Sequence, residues 1–133
     1  MYNNIGNVYN SQGKYEEALE YYQKDLEIDM KVSGQDHPDV AASYNGIGNV
    51  YLAKGDLENG LVQHQKALEI RTRVFRSEHP AVAVSIKNIG NVYHNKGDRA
   101  AATEMWTKAY HIFLKVLGPH HPETQGLKTF VNE

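Results

Sequence analysis

Ile5-Gly6-Asn7-Val8-Tyr9 recurs as Ile47-Gly48-Asn49-Val50-Tyr51 and again as Ile89-Gly90-Asn91-Val92-Tyr93, each copy 42 residues after the last. The same shift relates Gly13, Gly55 and Gly97; Ile28, Ile70 and Ile112; and Val32, Val74 and Val116. It also relates three junctions, His37-Pro38, His79-Pro80 and His121-Pro122. Self-similarity at a period of roughly 20–50 residues marks a solenoid, in which each unit buries its apolar face by stacking on its neighbours. Most of the repeated residues are therefore expected to hold the stack together and need no chemistry to explain them.

The middle unit shows how one repeat is built. Proline suits the first turn of a helix, where its missing N–H costs nothing, and Pro38, Pro80 and Pro122 occupy that place. After Pro38, the apolar residues Val40, Ala41, Tyr44, Ile47, Val50 and Tyr51 recur at helical spacings of three and four. Lys54-Gly55-Asp56 breaks the run, and a second begins at Leu57 and continues through Leu61, His64, Ala67, Leu68, Ile70, Val74 and Phe75. Each unit reads as two antiparallel helices joined at Gly13, Gly55 or Gly97. The expected helices span residues 1–11, 14–33, 38–54, 56–75, 80–96, 98–117 and 122–132.

The pattern resembles the tetratricopeptide repeat, whose signature is aromatic-x2-Leu-Gly-x2-Tyr followed by Ala-x3-Phe. Here it is Tyr2-x2-Ile5-Gly6-x2-Tyr9 with Ala18-x3-Tyr22, and Ile86-x2-Ile89-Gly90-x2-Tyr93 with Ala102-x3-Trp106. The longer unit, with its Asp36-His37-Pro38 and Glu78-His79-Pro80 junctions, looks like the repeats of the kinesin light chain and its relatives. The resemblance implies a single all-α domain over residues 1–133, a right-handed solenoid of three 42-residue helix pairs. Its repeats span residues 1–37, 38–79 and 80–121, with a terminal helix at 122–132. Gly6, Gly48, Gly90, Ala18 and Ala102 are expected to let helices approach closely. The second unit carries Gly60 and His64 in place of alanine and an aromatic, which suggests a looser or wetter stack there.

In this family the first helices line a concave groove that takes an extended or helical peptide. Carried over, the groove residues are Asn3, Asn7, Asn10, Asn45, Asn49, Leu52, Lys87, Asn91 and His94. Asn7, Asn49 and Asn91 form a ladder that helix propensity does not account for. An amide offers a donor and an acceptor together, matching a peptide backbone. The other readings are an inter-helix hydrogen bond and inheritance by duplication. A terminal-carboxylate clamp needs several cations, and only Lys87 stands at such a place, beside Asn3 and Asn45. A peptide of mixed or mildly acidic character, held through its backbone, fits better.

Composition narrows the remaining options. The net charge of −2 hides a gradient, with −5 over residues 1–42, +1 over 43–84 and +2 over 85–126. Nothing is basic enough to argue for nucleic acid, and no apolar run approaches the roughly 18 residues of a membrane span. The first residues lack the basic start and apolar stretch of a secretory leader. The absence of cysteine excludes disulfides and thiolate metal sites and fits a reducing compartment, so a cytoplasmic location is expected. His37, His79 and His121 are expected to pack or cap at the junctions, and as one per repeat they stand too far apart to share a metal ion at about 2 Å. No phosphate loop, Gly-x-Ser-x-Gly or His-Glu-x-x-His occurs, so neither an enzyme nor a cofactor is expected. Glu16, Glu17, Glu20, Asp25, Glu27 and Asp29 read as a solvated face, except that Asp25 aligns with Ala67 and Ala109 and is expected to be buried.

The expected function is a protein-interaction scaffold; the alternative is a self-associating array whose ends carry the specificity. The first helix pair, with Tyr2, Ile5, Tyr9 and Tyr22, is expected to expose packing residues. A homodimer through that pair is the corresponding expectation.

Overall fold

The structure, a computed structural model, describes residues 2–131, with side chains from Ile5 onward. The side chains of Tyr2 and Asn3 therefore lie outside the described residues. Seven helices follow in order: α1 (Tyr2–Ser11), α2 (Tyr15–Ser33), α3 (Pro38–Lys54), α4 (Leu57–Phe75), α5 (Pro80–Asn95), α6 (Arg99–Leu117) and α7 (Pro122–Lys128). No strand occurs among the described residues.

The junctions explain the starts of three helices. Proline fills the first turn of α3, α5 and α7, and the preceding histidine caps it. His37, His79 and His121 each accept a hydrogen bond on Nδ1 from the backbone N–H two residues on, at 3.1, 3.0 and 3.1 Å. That satisfies one of the donors a helix start leaves unpaired. At the other end of α3, Gly55 takes the left-handed conformation that stops the helix. The last helix is shorter than its expected span of 122–132: it ends at Lys128, and a turn follows in which Phe130 N–H bonds to Leu127 C=O at 3.0 Å. Leaving the helix at this point lets Val131 reach the apolar core.

The chain forms two compact units, residues 1–74 and 75–133. In the first, Ala18, Leu19 and Tyr22 of α2 pack on Ile47 and Val50 of α3. A second cluster joins Val40 and Ala41 of α3 to Ala67 and Ile70 of α4. In the second unit, Ala83 of α5 and Ala102, Trp106, Ala109, Tyr110 and Phe113 of α6 share a core with Leu127 and Val131.

Small residues make the close approaches. A methyl group on Gly6 would stand 2.9 Å from Tyr22, and one on Gly90 would stand 2.6 Å from Trp106. Aromatic rings thus lie directly on glycine backbone, a contact that a larger residue would break. Asp25 is buried, as are its repeat equivalents Ala67 and Ala109.

The second repeat fills its departing positions in its own way. His64 is fully buried, its ring packed over Gly48, and the Leu52 side chain fills the space that Gly60 leaves. At Gly60 the Leu52 side chain thus takes the place of the missing one.

Candidate functional site

The three ladder asparagines prove unequal. In the first unit, the Tyr22 hydroxyl donates to Asn7 Oδ1. In the second, Trp106 Nε1–H donates to Asn91 Oδ1 at 3.1 Å. Between them in sequence, His64 stands at the aromatic position and turns elsewhere, with its Nδ1 2.9 Å from Asn45 Oδ1. Asn49 is exposed, and its side chain makes no hydrogen bond to another described residue. The inter-helix hydrogen bond, the other reading of the ladder, is thus present at Asn7 and Asn91.

The pairing fixes the amide's orientation. An indole N–H can only donate, so it must meet the carbonyl oxygen of Asn91, and the NH2 group is turned the other way. Asn91 is exposed, so those two donors face outward. They border a cleft of about 380 Å³ within the second unit, lined by Lys87, Asn91 and His94 of α5, by Trp106 of α6, and by Pro122, Glu123, Gly126 and Leu127 of α7 with Phe130 beyond it. Three expected site residues are thus brought together in one cleft. Its walls are aromatic: the Trp106 ring lies 5.4 Å from His94 and 5.2 Å from Phe130.

Lys87 is not a free cation. Its Nζ bonds to Glu123 Oε2 at 2.9 Å, with both side chains partly shielded. The contribution of α7 was missed from the sequence. The signal was present, because repeat register makes residues 122–132 a fourth first helix and so a neighbour of the third.

In the first unit, Asn7 and Asn10 lie on α1, and Asn45, Asn49 and Leu52 on α3. Asn45 is engaged by His64, and Asn10 keeps its Oδ1 buried without a hydrogen-bond partner among the described residues. Leu52, partly exposed, packs over Gly60. His64 was missed as a site of strained polarity. Its Nε2 is buried without a partner, and burial, reinforced by the Arg71 charge, pushes its pKa down to about 4. Tyr22 is pushed up to about 12 by burial, so its hydroxyl stays a donor. Among the described residues, no group of three or more His, Asp or Glu side chains is arranged to hold a metal ion. None of the described helices is long and apolar enough to cross a membrane.

A family model described as tetratricopeptide repeat matches residues 1–59 and 39–115. Among solved structures, one is the crystal structure of a Podosopora anserina kinesin light chain of nearly identical tetratricopeptide-like repeats. It matches with a TM-score of 0.83 at 24% identity, over 96% of this chain and 60% of that one. BtubC (BKLC) from P. vanneervenii matches with a TM-score of 0.78 at 28% identity, over 91% of this chain and 48% of that one. The N-terminal domain of stress-induced protein-1 from C. elegans matches with a TM-score of 0.66 at 18% identity, covering 97% of this chain and 91% of that one. The chain thus spans about 60% or less of the length of the first two. Comparison with curated protein sequences finds no match. The fold class is all-α, of the tetratricopeptide solenoid type.

Proposed function

The chain belongs to the tetratricopeptide repeat family, and from that premise we propose that it is a non-enzymatic scaffold that holds a peptide or partner segment along its first helices. The tetratricopeptide fold is a protein-interaction module; the finer reading concerns the cleft beside α5. The observation that carries it is the orientation of Asn91. With its carbonyl committed to Trp106, the amide offers two N–H donors to a cleft with apolar walls. A peptide C=O supplies the matching acceptor, and an apolar side chain beside it fills the cleft. Asn49 offers a further exposed amide in the first unit. Glu123 already neutralises Lys87, which argues against a terminal-carboxylate clamp. The absence of cysteine is in keeping with a cytoplasmic setting.

The test separates binding from structure. Asn91→Asp keeps an acceptor for the Trp106 N–H and removes both outward donors. Peptides selected on the native chain from a random display library should bind the variant at least about tenfold more weakly, with thermal stability little changed. Undiminished binding would return the asparagine to a structural role.

Self-association through the first helix pair is the second reading. Ile5 and Val8 support it, because both are exposed. Charge weighs against it, since residues 1–42 carry −5 and two like copies repel. Light scattering over a concentration series decides: a dimer at high micromolar concentration supports this reading, and a monomer removes it.

A further inference from the structure

The first unit holds a groove between α2 and α4, with α3 as its floor. It encloses about 350 Å³ and is lined by Gln23 and Glu27 of α2, Tyr44 and Tyr51 of α3, and Gln63 and Lys66 of α4. A second hollow of about 250 Å³ shares Tyr44 and Lys66 and extends the groove toward Arg73. Both walls and the floor belong to elements already packed together, so a further unit stacked on α1 or on α7 would leave this groove open. Its lining holds unused hydrogen-bonding capacity. The amides of Gln23 and Gln63 and the hydroxyls of Tyr44 and Tyr51 bond to no other described residue, and Glu27 has no ion-pair partner among them. Forty-two residues on, Tyr44 and Gln63 become Ile86 and Met105, so the combination occurs once in the chain.

We propose that this groove binds a proline-rich segment of another protein, in the polyproline II conformation and carrying a basic residue. Unused donors and acceptors call for a ligand whose own backbone polar groups are free. A helix satisfies its own, whereas polyproline II has no internal hydrogen bonds. Spacing then separates polyproline II from a β-strand. Tyr44 and Tyr51 stand seven residues apart on α3, about 10.5 Å along its axis. Prolines three apart in polyproline II recur every ~9.3 Å, whereas a strand returns to the same side every ~6.7 Å. Two prolines can thus rest on the two rings. Charge selects the basic residue, because residues 1–42 carry −5 and Glu27 lines the groove unpaired. The Lys66 ammonium stands over the Tyr44 ring at 5.4 Å and must swing aside, which its exposure permits. Lys54, 5.9 Å over the Tyr51 ring, is held by Glu16 at 2.9 Å and does not line the groove. A second copy of this chain is a poor occupant, since its Pro119-His120-His121-Pro122 is built into the start of α7.

The probe is a synthetic peptide of eight prolines with an arginine at each end, titrated by calorimetry into the 133-residue chain. It should bind saturably, and a peptide with alanine in place of every proline should not. Gln23→Ala, at an exposed position, should weaken binding about threefold. Glu27→Lys should weaken it about threefold, and a proline peptide ending in glutamates should regain that loss. Lys66→Ala uncovers the Tyr44 ring and should tighten binding about twofold. A weaker complex with Lys66→Ala would mark the groove as a site for acidic ligands and overturn the proposal. So would absence of binding, equal binding of the alanine peptide, or indifference to both Gln23→Ala and Glu27→Lys. This site does not rest on the α5 cleft, so Asn91→Asp should leave the affinity unchanged; a loss there would place the peptide in that cleft and overturn the proposal as well.

Discussion

A methyl group at Gly46 would overlap the Tyr22 ring, which lies between Gly46 and Gly6 and is almost wholly buried. Neither side can yield, so Gly46→Ala should cost about 2 kcal/mol or more in thermal unfolding. Gly126 is the control. Nothing lies within 4 Å of its absent side chain, so Gly126→Ala should stabilise by up to about 1 kcal/mol. His64 makes a pH-dependent case. Burial lowers its pKa from 6.5 to about 4, so the unfolded chain takes up a proton before the folded one does. The stability it contributes is complete above about pH 6.5 and is lost as the pH falls toward about 4, by on the order of 3 kcal/mol. Denaturant titrations across that window should show the loss, and His64→Leu should flatten it. The glycines shared by all repeats were legible in the sequence. Gly46 was not, because its equivalents Asn4 and Asn88 hide its role.

Among the helices, the histidine caps were the most legible device. His-Pro at a helix start already implied packing or capping, and the structure adds the acceptor atom, Nδ1. His79→Ala should lower stability by about 1 kcal/mol. His79→Asn should recover the cap but not the stacking of that ring on Phe75, whose centroid lies 4.2 Å away. Helix boundaries followed the periodic runs to within a residue or so, except at α7. Its sequence keeps helical spacing through Phe130 and Val131, but burying Val131 requires the turn after Lys128. Tertiary burial outweighed local pattern there. The same helix depends on Leu127, and Leu127→Ala should cost about 2–4 kcal/mol and release Glu123 from Lys87.

Across the molecule, the 42-residue period made the fold class readable, because any other arrangement would leave three copies of one apolar face uncovered. Repetition could not reveal where the copies differ in use. Asn7, Asn49 and Asn91 look alike in the sequence, yet only two accept a bond from an aromatic partner. The difference arises from His64, one residue on another helix that chose Asn45. Trp106 is the sole tryptophan of the chain, and it forms the wall of the α5 cleft, nearly buried and hydrogen-bonded. The chain therefore carries one indole fluorophore, set in the cleft, which can be excited apart from its nine tyrosines. Phe130→Ala should shift its emission to longer wavelength by admitting water to the ring, with little change in melting, because Phe130 is itself 55% exposed. A ligand entering the cleft should shift emission the opposite way. Fluorescence alone can thus report when the cleft is filled, without a label.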